Sequence, residues 1–408
     1  MNKKIVYISF TAKWVFLLTF LLSFPTLQAA PIGSWKAYMA YHEVTEIEKG
    51  GHTLYVLASK SLYCYNTQDN SIQTFDKANL LSDCEIEHIA WCQPAHSLLI
   101  LYANNNIDIL SENGTVTNVP AYYNFTTSSD KTINDVYVYG SNAYLATGFG
   151  IVNINMKAKE ISNTYNLGFK VDYCYINGNN IFAASSTQGL YSAPLSANLL
   201  DKNNWKRTGE YTPRQKTVDP ELLATVKVLN PGGPKYNFFE YMKFVDGKLY
   251  TCGGGYNTID DSNRPGMVQV LQPYDDQWQI YQDQLDTITG VKYISVNCLA
   301  VDPLDSKHVF ASGKNGLYEF YDGKFLHHFN EDNSPIVSVY RDNNHDYTFV
   351  FSVIFDNTGN LWLYNSFNDR DVSLLEFTKE REWKSFPHKE MRWDGTHVEK
   401  AIRQPMWD

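Results

Sequence analysis

A pattern of short alternating strands separated by tight turns repeats along the chain from Val44 onward. Each repeat predicts a first strand, a turn, a short apolar second strand with an aromatic residue, a third strand and a closing strand. The second strand is the easiest to follow, and its seven copies are Leu54–Val56, Leu98–Ile100, Ala143–Leu145, Ile181–Ala183, Leu249–Thr251, His308–Phe310 and Leu361–Leu363. Their central residues lie 44, 45, 38, 68, 59 and 53 positions apart. The spacing indicates seven repeated units.

The residues around these strands favour a fold of hairpins. Most turns contain Gly, Asn or Asp, which accept the positive φ angles of tight turns. The closing strands, such as Trp205–Arg207 and Trp383–Phe386, mix apolar with polar residues, as half-exposed strands do. No amphipathic helical stretch of any length is evident. The pattern therefore predicts an all-β fold, a seven-bladed β-propeller of four-stranded antiparallel blades.

Two long steps in the repeat indicate insertions, from Gly209 to Pro234 and from Gly253 to Pro265. Insertions on a propeller usually lie on one rim, where binding residues concentrate. The segment from Gly33 to Tyr38 resembles the closing strands and is expected to add to the last blade. Val398 to Ile402 resembles another first strand, which predicts that residues 396–408 begin a further repeat or a linker and that the natural protein is longer.

The N-terminus has the pattern of an export signal. Residues 1–30 contain three lysines and no acid, then an apolar run from Trp14 to Phe24, then the small-residue exit Leu27–Ala30. A membrane anchor would need about 20 apolar residues, and this run of 11 is interrupted by Thr19 and Ser23. We therefore expect a signal peptide over 1–30, a propeller over 31–395 and an exported protein without a transmembrane span.

Composition adds three points. The 60 aromatic residues, 15% of the chain, fit the packing between blades. The net charge of −10 becomes −13 once the three signal-peptide lysines are removed, so no basic face for nucleic acid is expected. The six cysteines show no C-x-x-C spacing, and the alternatives are buried free thiols, which we favour, one incidental disulfide, or a metal site.

No motif for catalysis is found. The chain contains no Gly-x-Ser-x-Gly, phosphate loop or His-Glu-x-x-His, so no catalytic residue, metal ligand or cofactor is assigned and a non-enzymatic role is expected. Three weaker motifs favour structural interpretations. Gly253–Gly255 is read as a flexible loop start rather than an anion cradle, and Asp356–Asn360 as a hairpin turn rather than a calcium loop. His327 and His328 are adjacent on a strand and face opposite sides, so they cannot chelate one ion together.

Several segments resemble the N-terminal β-propeller of the PorZ family. They are Ile32–Lys36, Leu54–Leu57, Ile100–Leu110 and Phe355–Leu363, and the last carries the Asp-x-x-Gly-Asn-Leu-Trp element shared with two-component-regulator propellers. The resemblance implies a component of the type IX secretion system of Bacteroidetes at the outer-membrane cell surface. It further implies partners similar to the PorU sortase and to PorV and PorQ, together with binding of anionic lipopolysaccharide. Family members carry a second propeller and a C-terminal β-domain, which these 408 residues lack.

If this propeller binds the anionic glycan, the basic residues of the insertions are the candidate site. We predict a rim cluster of Lys206, Arg207, Arg214, Lys216 and Arg264, against the alternative of solvated loop side chains. Two other functions stay open. The first is the periplasmic ligand-sensing propeller of a hybrid two-component regulator, and the second is a propeller enzyme that acts on polysaccharide.

Overall fold

Seven four-stranded antiparallel sheets follow one another along the part of the chain that the structure describes. The structure is a computed structural model, and it describes residues 35–256, 261–274, 276–340, 345–367, 373–387, 392–393 and 397–398. Contacts divide the chain into residues 1–37 and residues 38–408, and the architecture below is that of the second unit. The predicted signal peptide lies outside the described residues, and the predicted domain boundaries stay predictions.

The first four sheets are built in the order of the chain. Blade one contains β1 to β4, at Val44–Gly50, Thr53–Ala58, Ser61–Asn66 and Ile72–Phe75. Blade two contains β5 to β8, at Ile86–Cys92, Ser97–Tyr102, Ile107–Ser111 and Val116–Asn118. Blade three contains β9 to β12, at Ile133–Tyr139, Asn142–Thr147, Gly150–Asn155 and Glu160–Asn166. Blade four contains β13 to β16, at Tyr173–Asn177, Asn180–Ser185, Gly189–Pro194 and Lys206–Gly209.

The remaining sheets repeat this order. Blade five contains β17 to β20, at Tyr241–Val245, Lys248–Cys252, Val268–Gln272 and Gln277–Ile280. Blade six contains β21 to β24, at Val296–Val301, His308–Gly313, Gly316–Tyr321 and Lys324–Phe329. Blade seven contains β25 to β28, at Val350–Phe355, Leu361–Asn365, Leu374–Phe377 and Trp383–Phe386. All seven predicted second strands are found, and the prediction of an all-β fold with seven four-stranded blades is confirmed.

In the described part of the chain, a few short elements connect strands or follow the last blade. Three short 3₁₀ turns occupy Gln93–Ala95, Lys202–Asn204 and His345–Tyr347. Helices α1, α2 and α3 span Ala121–Asn124, Pro220–Lys227 and Asp286–Thr289. Beyond blade seven, β29 (Arg392–Trp393) pairs with β30 (His397–Val398).

Apolar side chains between neighbouring blades form the core. Three clusters join blade one to two, two to three, and three to four. Two further clusters join blade five to six and six to seven. Among the described residues, no core cluster joins blade four to blade five or blade seven to blade one. The blades therefore pack as a first arc, blades one to four, and a second arc, blades five to seven.

The strands that end each arc show what this packing leaves uncovered. On β13, Cys174 and Ile176 belong to the core shared with blade three, and the alternation of a strand turns Tyr173 and Tyr175 to the opposite side, where both are half-buried. On β17, Tyr241 and Val245 pack toward blade six. The alternate residues of that strand, Met242 and Phe244, are 59% and 64% exposed.

The outer face of blade one is covered by the first insertion, which contains an unpredicted helix. Asp219 caps α2 by accepting a hydrogen bond from the backbone N–H of Glu221 at 2.8 Å, and Pro220 occupies the first helical position. The apolar side of the helix, with the largely buried Val226, packs against Leu54 and Tyr63 of blade one. The expectation that the chain contains no amphipathic helix was wrong, because the short helix lies inside a segment that the repeat pattern treats only as a loop.

The chain just before blade one contacts blade five through Tyr38. Gly33 and Ser34 are outside the described residues, and the structure assigns no strand to 35–42. Tyr38 donates a hydrogen bond from its hydroxyl to Oδ1 of Asp276 at 2.9 Å and packs edge-on against Trp278, and both partners belong to blade five. The expected addition of 33–38 to the last blade is therefore not seen for Tyr38.

Candidate functional site

The first insertion crosses the first arc as a strap, which we define as residues 210–218. Arg214 donates from Nη2 to Oδ2 of Asp135 on β9 at 2.9 Å, and its guanidinium lies 5.1 Å from the ring centre of Tyr173. Lys216 donates from Nζ to Oε1 of Glu46 on β1 at 2.8 Å. Because β1, β9 and β13 are the first strands of blades one, three and four, the strap ties together the first strands of these three blades.

Glu46 is the centre of these contacts. It is 7% exposed, lies 2.9 Å from Nδ1 of His88 on β5, and accepts the backbone N–H of Ile89 at 2.7 Å. Burial by itself would raise the pKa of the Glu46 carboxyl, but the contacts with His88 and Lys216 lower it overall. We call Glu46, His88, Asp135, Arg214 and Lys216 the strap cluster.

Two acids near the strap behave differently from Glu46. Burial raises the pKa of Asp135, and the nearby Arg214 and Lys216 oppose that rise without cancelling it. Burial also raises the pKa of Glu48, although its Oε2 accepts the backbone N–H of Trp91 at 3.2 Å. Burial therefore makes ionisation of these carboxylates unfavourable, and the cations of the strap partly offset that cost.

The five predicted rim residues do not lie together. Arg214 and Lys216 belong to the strap cluster, and Arg207 on β16 places both oxygens of Glu210 at 2.7 Å from its Nη2. Lys206, also on β16, is exposed. Arg264 lies on the second arc. A positive charge that already faces a carboxylate attracts an anionic polymer less. The binding of anionic glycan by these five residues stays a prediction.

Arg264 organises an aromatic platform instead. Its guanidinium lies 4.8 Å from the ring centre of Phe238, and its Nη1 donates to the carbonyl of Gly253 at 3.0 Å. Phe238 stacks on Tyr236 with ring centres 6.2 Å apart. The triglycine that precedes Arg264 is also used internally, since Gly254 N–H donates to Val296 O at 2.7 Å. Gly255 N–H donates to Oε2 of Glu240 at 3.2 Å, so these amides do not form an anion cradle.

The second arc contains a buried carboxylate with a different set of partners. Glu319 on β23 is 1% exposed and accepts two hydrogen bonds from the guanidinium of Arg381, at 2.8 and 2.9 Å. Nε2 of His308 lies 2.9 Å from one oxygen, and Nδ1 of His327 lies 2.8 Å from the other. We call these four residues the Glu319 cluster. Burial alone would raise the pKa of Glu319, but the bonds from Arg381 and His308 lower it to about 2.

The partners of the two adjacent histidines agree with the sequence interpretation. His327 contacts Glu319, whereas His328 places Nε2 at 2.7 Å from the carbonyl oxygen of Asn315 and stacks on Tyr318. The two rings therefore make their contacts on opposite sides of β24. Among the described residues, no group of three or more His, Cys, Asp or Glu side chains is arranged to hold a metal ion.

The Asp356–Asn360 segment is the hairpin turn between β25 and β26. Oδ1 of Asp356 accepts the N–H groups of Thr358 and Asn360, each at 2.9 Å, and its Oδ2 accepts Nε1 of Trp362 at 3.2 Å. Burial opposes ionisation, but these bonds hold the pKa of Asp356 far below its usual range. The carboxylate closes the turn and orients the tryptophan, which explains why the signature joins Asp, Gly and Trp in one short run.

The cysteines are all unpaired thiols. Cys92, Cys174, Cys252 and Cys298 are buried, Cys64 is half-buried and Cys84 is exposed. Burial raises the pKa of Cys298 to about 11, which disfavours the reactive thiolate. Over the described ranges, no helix combines the length and the apolar character that crossing a membrane requires.

Comparison with known families finds a match within the first arc. Residues 54–206 match the family described as the N-terminal β-propeller domain of PorZ of the type IX secretion system. This match confirms the resemblance to PorZ. The matched span runs from the second strand of blade one into the last strand of blade four, so it follows the boundary of the first arc. No curated protein matches the chain.

A solved structure of PorZ has the same fold. That protein is described as an essential bacterial surface component of the type IX secretion system of Porphyromonas gingivalis, and it aligns with a TM-score of 0.74 and 21% sequence identity. The alignment covers 88% of this chain and 61% of the PorZ chain. This chain therefore spans less than two thirds of the length of that PorZ protein.

Two further solved structures are more distant. They are extracellular domains from B. thetaiotaomicron, one of a putative one component system and one of a putative hybrid two component system. They align with TM-scores of 0.33 and 0.31 and identities of 13% and 12%. The alignments cover 86% and 88% of this chain and 48% of each of those chains.

The residues that hold these clusters together are difficult to recognise from sequence alone. Glu46, Asp135 and Glu319 stand in alternating strands where a polar residue normally faces solvent. Their cationic partners Lys216, Arg214 and Arg381 lie 170, 79 and 62 positions away in the chain. The one usable signal is an acid inside a strand that is otherwise apolar, as in the Leu317–Phe320 stretch around Glu319.

Proposed function

We propose that the chain is a non-enzymatic scaffold of the type IX secretion machinery, exported and held at the outer-membrane surface. The match of residues 54–206 to the PorZ N-terminal propeller carries this proposal. Within the strap cluster, and likewise within the Glu319 cluster, acids pair with cations. Such pairing suits a rigid binding module better than acid–base catalysis. The partners we propose are a PorU-like sortase and PorV-like and PorQ-like attachment proteins.

Capture from the bacterial surface tests the scaffold. The tagged protein is expressed in its native host, cross-linked on intact cells and purified, and the attached proteins are identified by mass spectrometry. We expect the sortase and its attachment partners. A matched variant that lacks residues 1–30 should stay inside the cell and recover none of them. Recovery of the exported protein without any of these partners would contradict the proposal, and recovery with an inner-membrane kinase would favour the sensor alternative.

We further propose that the surface of blade four binds the anionic lipopolysaccharide. Lys206 on β16 and Lys202 in the preceding 3₁₀ turn are both exposed, whereas four of the five predicted cations are engaged by carboxylates, a carbonyl or a ring. Lysine charges on a surface attract a polyanion in a salt-dependent way.

The charge-reversal pair Lys202→Glu with Lys206→Glu tests this site. We expect at least a fivefold loss of binding to purified anionic lipopolysaccharide at low salt. Arg264→Met is the matched control, because it removes a cation that already stacks on Phe238. Unchanged binding in the double variant would contradict the assignment to blade four.

A further inference from the structure

A cleft opens on the second arc where the two long loops around blades five and six meet. Its volume is about 480 Å³, and its walls come from residues 235–236, 263, 265–266, 283–284, 286–287 and 293–294. A volume of this size is in the range of small-molecule sites. None of the residues that line it belongs to the strap cluster or the Glu319 cluster.

The walls of the cleft are fixed by main-chain bonds. The fully buried Gln269 on β19 accepts the N–H of Lys235 at 2.6 Å and of Tyr236 at 2.9 Å through Oε1. Across the cleft, Gly266 N–H donates to Tyr293 O at 2.8 Å, and Asp286 accepts the N–H of Tyr293 at 2.9 Å. A cleft whose walls are held in this way is formed before any ligand arrives, which lowers the entropy cost of binding.

The charge inside the cleft disfavours anions. Among the described residues, Lys235 is the only cation that lines the cleft, and its Nζ is bound to Oδ2 of Asp283 at 2.5 Å. Asp286 adds a second negative charge at the rim, where it is exposed. With one cation and two carboxylates, the lining has a net charge of −1, so a phosphate or sulfate would meet repulsion.

The remaining lining combines aromatic and amide groups. Tyr236 is half-buried and stacks on Phe238, and Nζ of Lys235 lies 5.5 Å from the ring centre of Tyr236. The guanidinium of Arg264 lies 4.8 Å from the ring centre of Phe238. Gln284 presents an amide, and Asp286 uses one carboxylate oxygen for the N–H of Tyr293. The amide of Asn263 also lines the cleft, where its Oδ1 accepts from Nζ of Lys314 at 2.9 Å and its Nδ2 donates to the carbonyl of Asp261 at 3.3 Å. Amides and carboxylates both donate to or accept from hydroxyl groups, and an aromatic face packs against the C–H groups of a flat, partly apolar ligand.

We propose that this cleft binds an uncharged saccharide, with a sugar ring on Tyr236 and hydroxyl groups on Asp286, Gln284 and Asn263. The proposal does not depend on the role in secretion. An apolar ligand would desolvate the amide of Gln284 and the second carboxylate oxygen of Asp286 without giving them partners, which is unfavourable. A saccharide supplies a hydroxyl for each of them.

The site is tested on the full chain by titration with neutral trisaccharides, followed by saturation-transfer NMR and calorimetry. The three trisaccharides are maltotriose, mannotriose and N-acetylated chitotriose. We expect at least one to bind, Tyr236→Ala to weaken that binding at least tenfold, and Tyr236→Phe to retain most of it. Asp286→Asn keeps the acceptor for the Tyr293 N–H and should weaken binding several-fold. Tyr274→Ala is the matched control, because Tyr274 is 86% exposed on the same blade and outside the cleft.

Three results would overturn the proposal. The first is that none of the three trisaccharides binds at millimolar concentration. The second is that binding is the same in Tyr236→Ala, Asp286→Asn and the wild type, which would place the saccharide elsewhere. The third is that the deacetylated, cationic chitosan trimer binds more tightly than its N-acetylated counterpart, which would identify a cation site. Thermal melting of each variant verifies that it is folded.

Discussion

The first arc and the second arc differ in how their ends are covered. The free face of blade one is covered by α2 of the insertion, with Val226 against Leu54 and Tyr63. The free face of blade five instead exposes Met242 and Phe244. The match to the PorZ propeller also follows this division, since it covers 54–206 and ends with blade four. Blades with the same four-strand pattern are thus not equivalent. The insertion covers the free face of blade one, whereas no described segment covers the free face of blade five in the same way.

The two arcs also neutralise a buried carboxylate in different ways. In the first arc, Glu46 receives Lys216 from a strap that begins only after blade four. In the second arc, Glu319 receives Arg381 from the turn before β28 of the adjacent blade. A cation from a neighbouring blade is positioned by the same core that buries the acid, whereas a cation from a strap depends on the strap staying in place. We therefore expect the second arc to suffer more from loss of its carboxylate and the first arc to be the more adjustable.

Replacement of Glu319 should give the largest effect. Glu319→Gln keeps the shape of the side chain but leaves the guanidinium of Arg381 without its bidentate partner. Breaking a buried ion pair costs about 3–5 kcal/mol, and solvent screening at the Arg381 side chain, which is 47% exposed, reduces the expected loss to about 2–3 kcal/mol. Urea denaturation of the wild type and the variant measures the loss. Asp322→Asn is the control, because Asp322 pairs with Lys307 at 3.7 Å on the exposed surface of the same blade and should change the free energy of unfolding little. A loss below about 1 kcal/mol would show that the Glu319 cluster is not a stabilising network.

Acid should destabilise the second arc more than the first. The pKa of Glu319 is lowered from 4.5 to about 2, so its stabilisation is complete above pH 4.5 and is lost as the pH falls through about 2. A shift of this size corresponds to about 3 kcal/mol. In the first arc the lowered pKa of Glu46 acts in the same direction, but the raised pKa values of Glu48 and Asp135 act in the opposite direction, because protonation in acid relieves their burial.

Hydrogen exchange followed by mass spectrometry at pH 5 and pH 3 separates the two arcs. Peptides from blades six and seven should lose more protection at pH 3 than peptides from blades one and two. At the other end of the range, the pKa of His308 is raised from 6.5, since the bonds to Glu319 and Asp302 outweigh burial. Its contribution is therefore complete below pH 6.5 and is lost as the pH rises through its folded value. Equal loss of protection in both arcs at pH 3 would contradict the assignment of the acid response to Glu319.

Removal of the strap cation should have a smaller effect. Lys216→Met takes away one partner of Glu46, but the Lys216 side chain is 41% exposed, and Glu46 keeps its contacts with His88 and the N–H of Ile89. Solvent screening therefore reduces the expected loss to about 1–2 kcal/mol. Arg207→Met, which removes an exposed pair with Glu210, is the matched control and should be nearly neutral. A loss as large as that of Glu319→Gln would show that the strap is not more adjustable than the blade-to-blade contact.

The repeat pattern predicts the blades well because it depends on local chemistry. All seven marker strands are found where the alternation and the turn residues put them, since a period of two and a positive-φ turn are properties of a few consecutive residues. The Asp356 turn was interpretable for the same reason: its carboxylate bonds to atoms within six positions of the chain.

The candidate site was predictable only in part. Arg214 and Lys216 were correctly placed in an insertion, but their partners Asp135 and Glu46 are set by how three blades meet, and no local pattern contains that information. The division into two arcs was missed for the same reason. The aromatic excess predicts packing between blades without showing which faces are covered.

The smallest effect concerns the missed helix, for which a local signal did exist. Asp219, Pro220 and Glu221 form a typical helix start, and Lys227 lies in the last turn. Asp219→Ala removes the acceptor for the N–H groups of Glu221 and Leu222, which should cost about 1 kcal/mol. Asp219→Asn keeps an acceptor and should be close to the wild type. Because α2 covers blade one, hydrogen-exchange protection in Asp219→Ala should fall in peptides from blade one and stay unchanged in peptides from blade five. An equal change in both blades would mean that the helix does not stabilise the first arc alone.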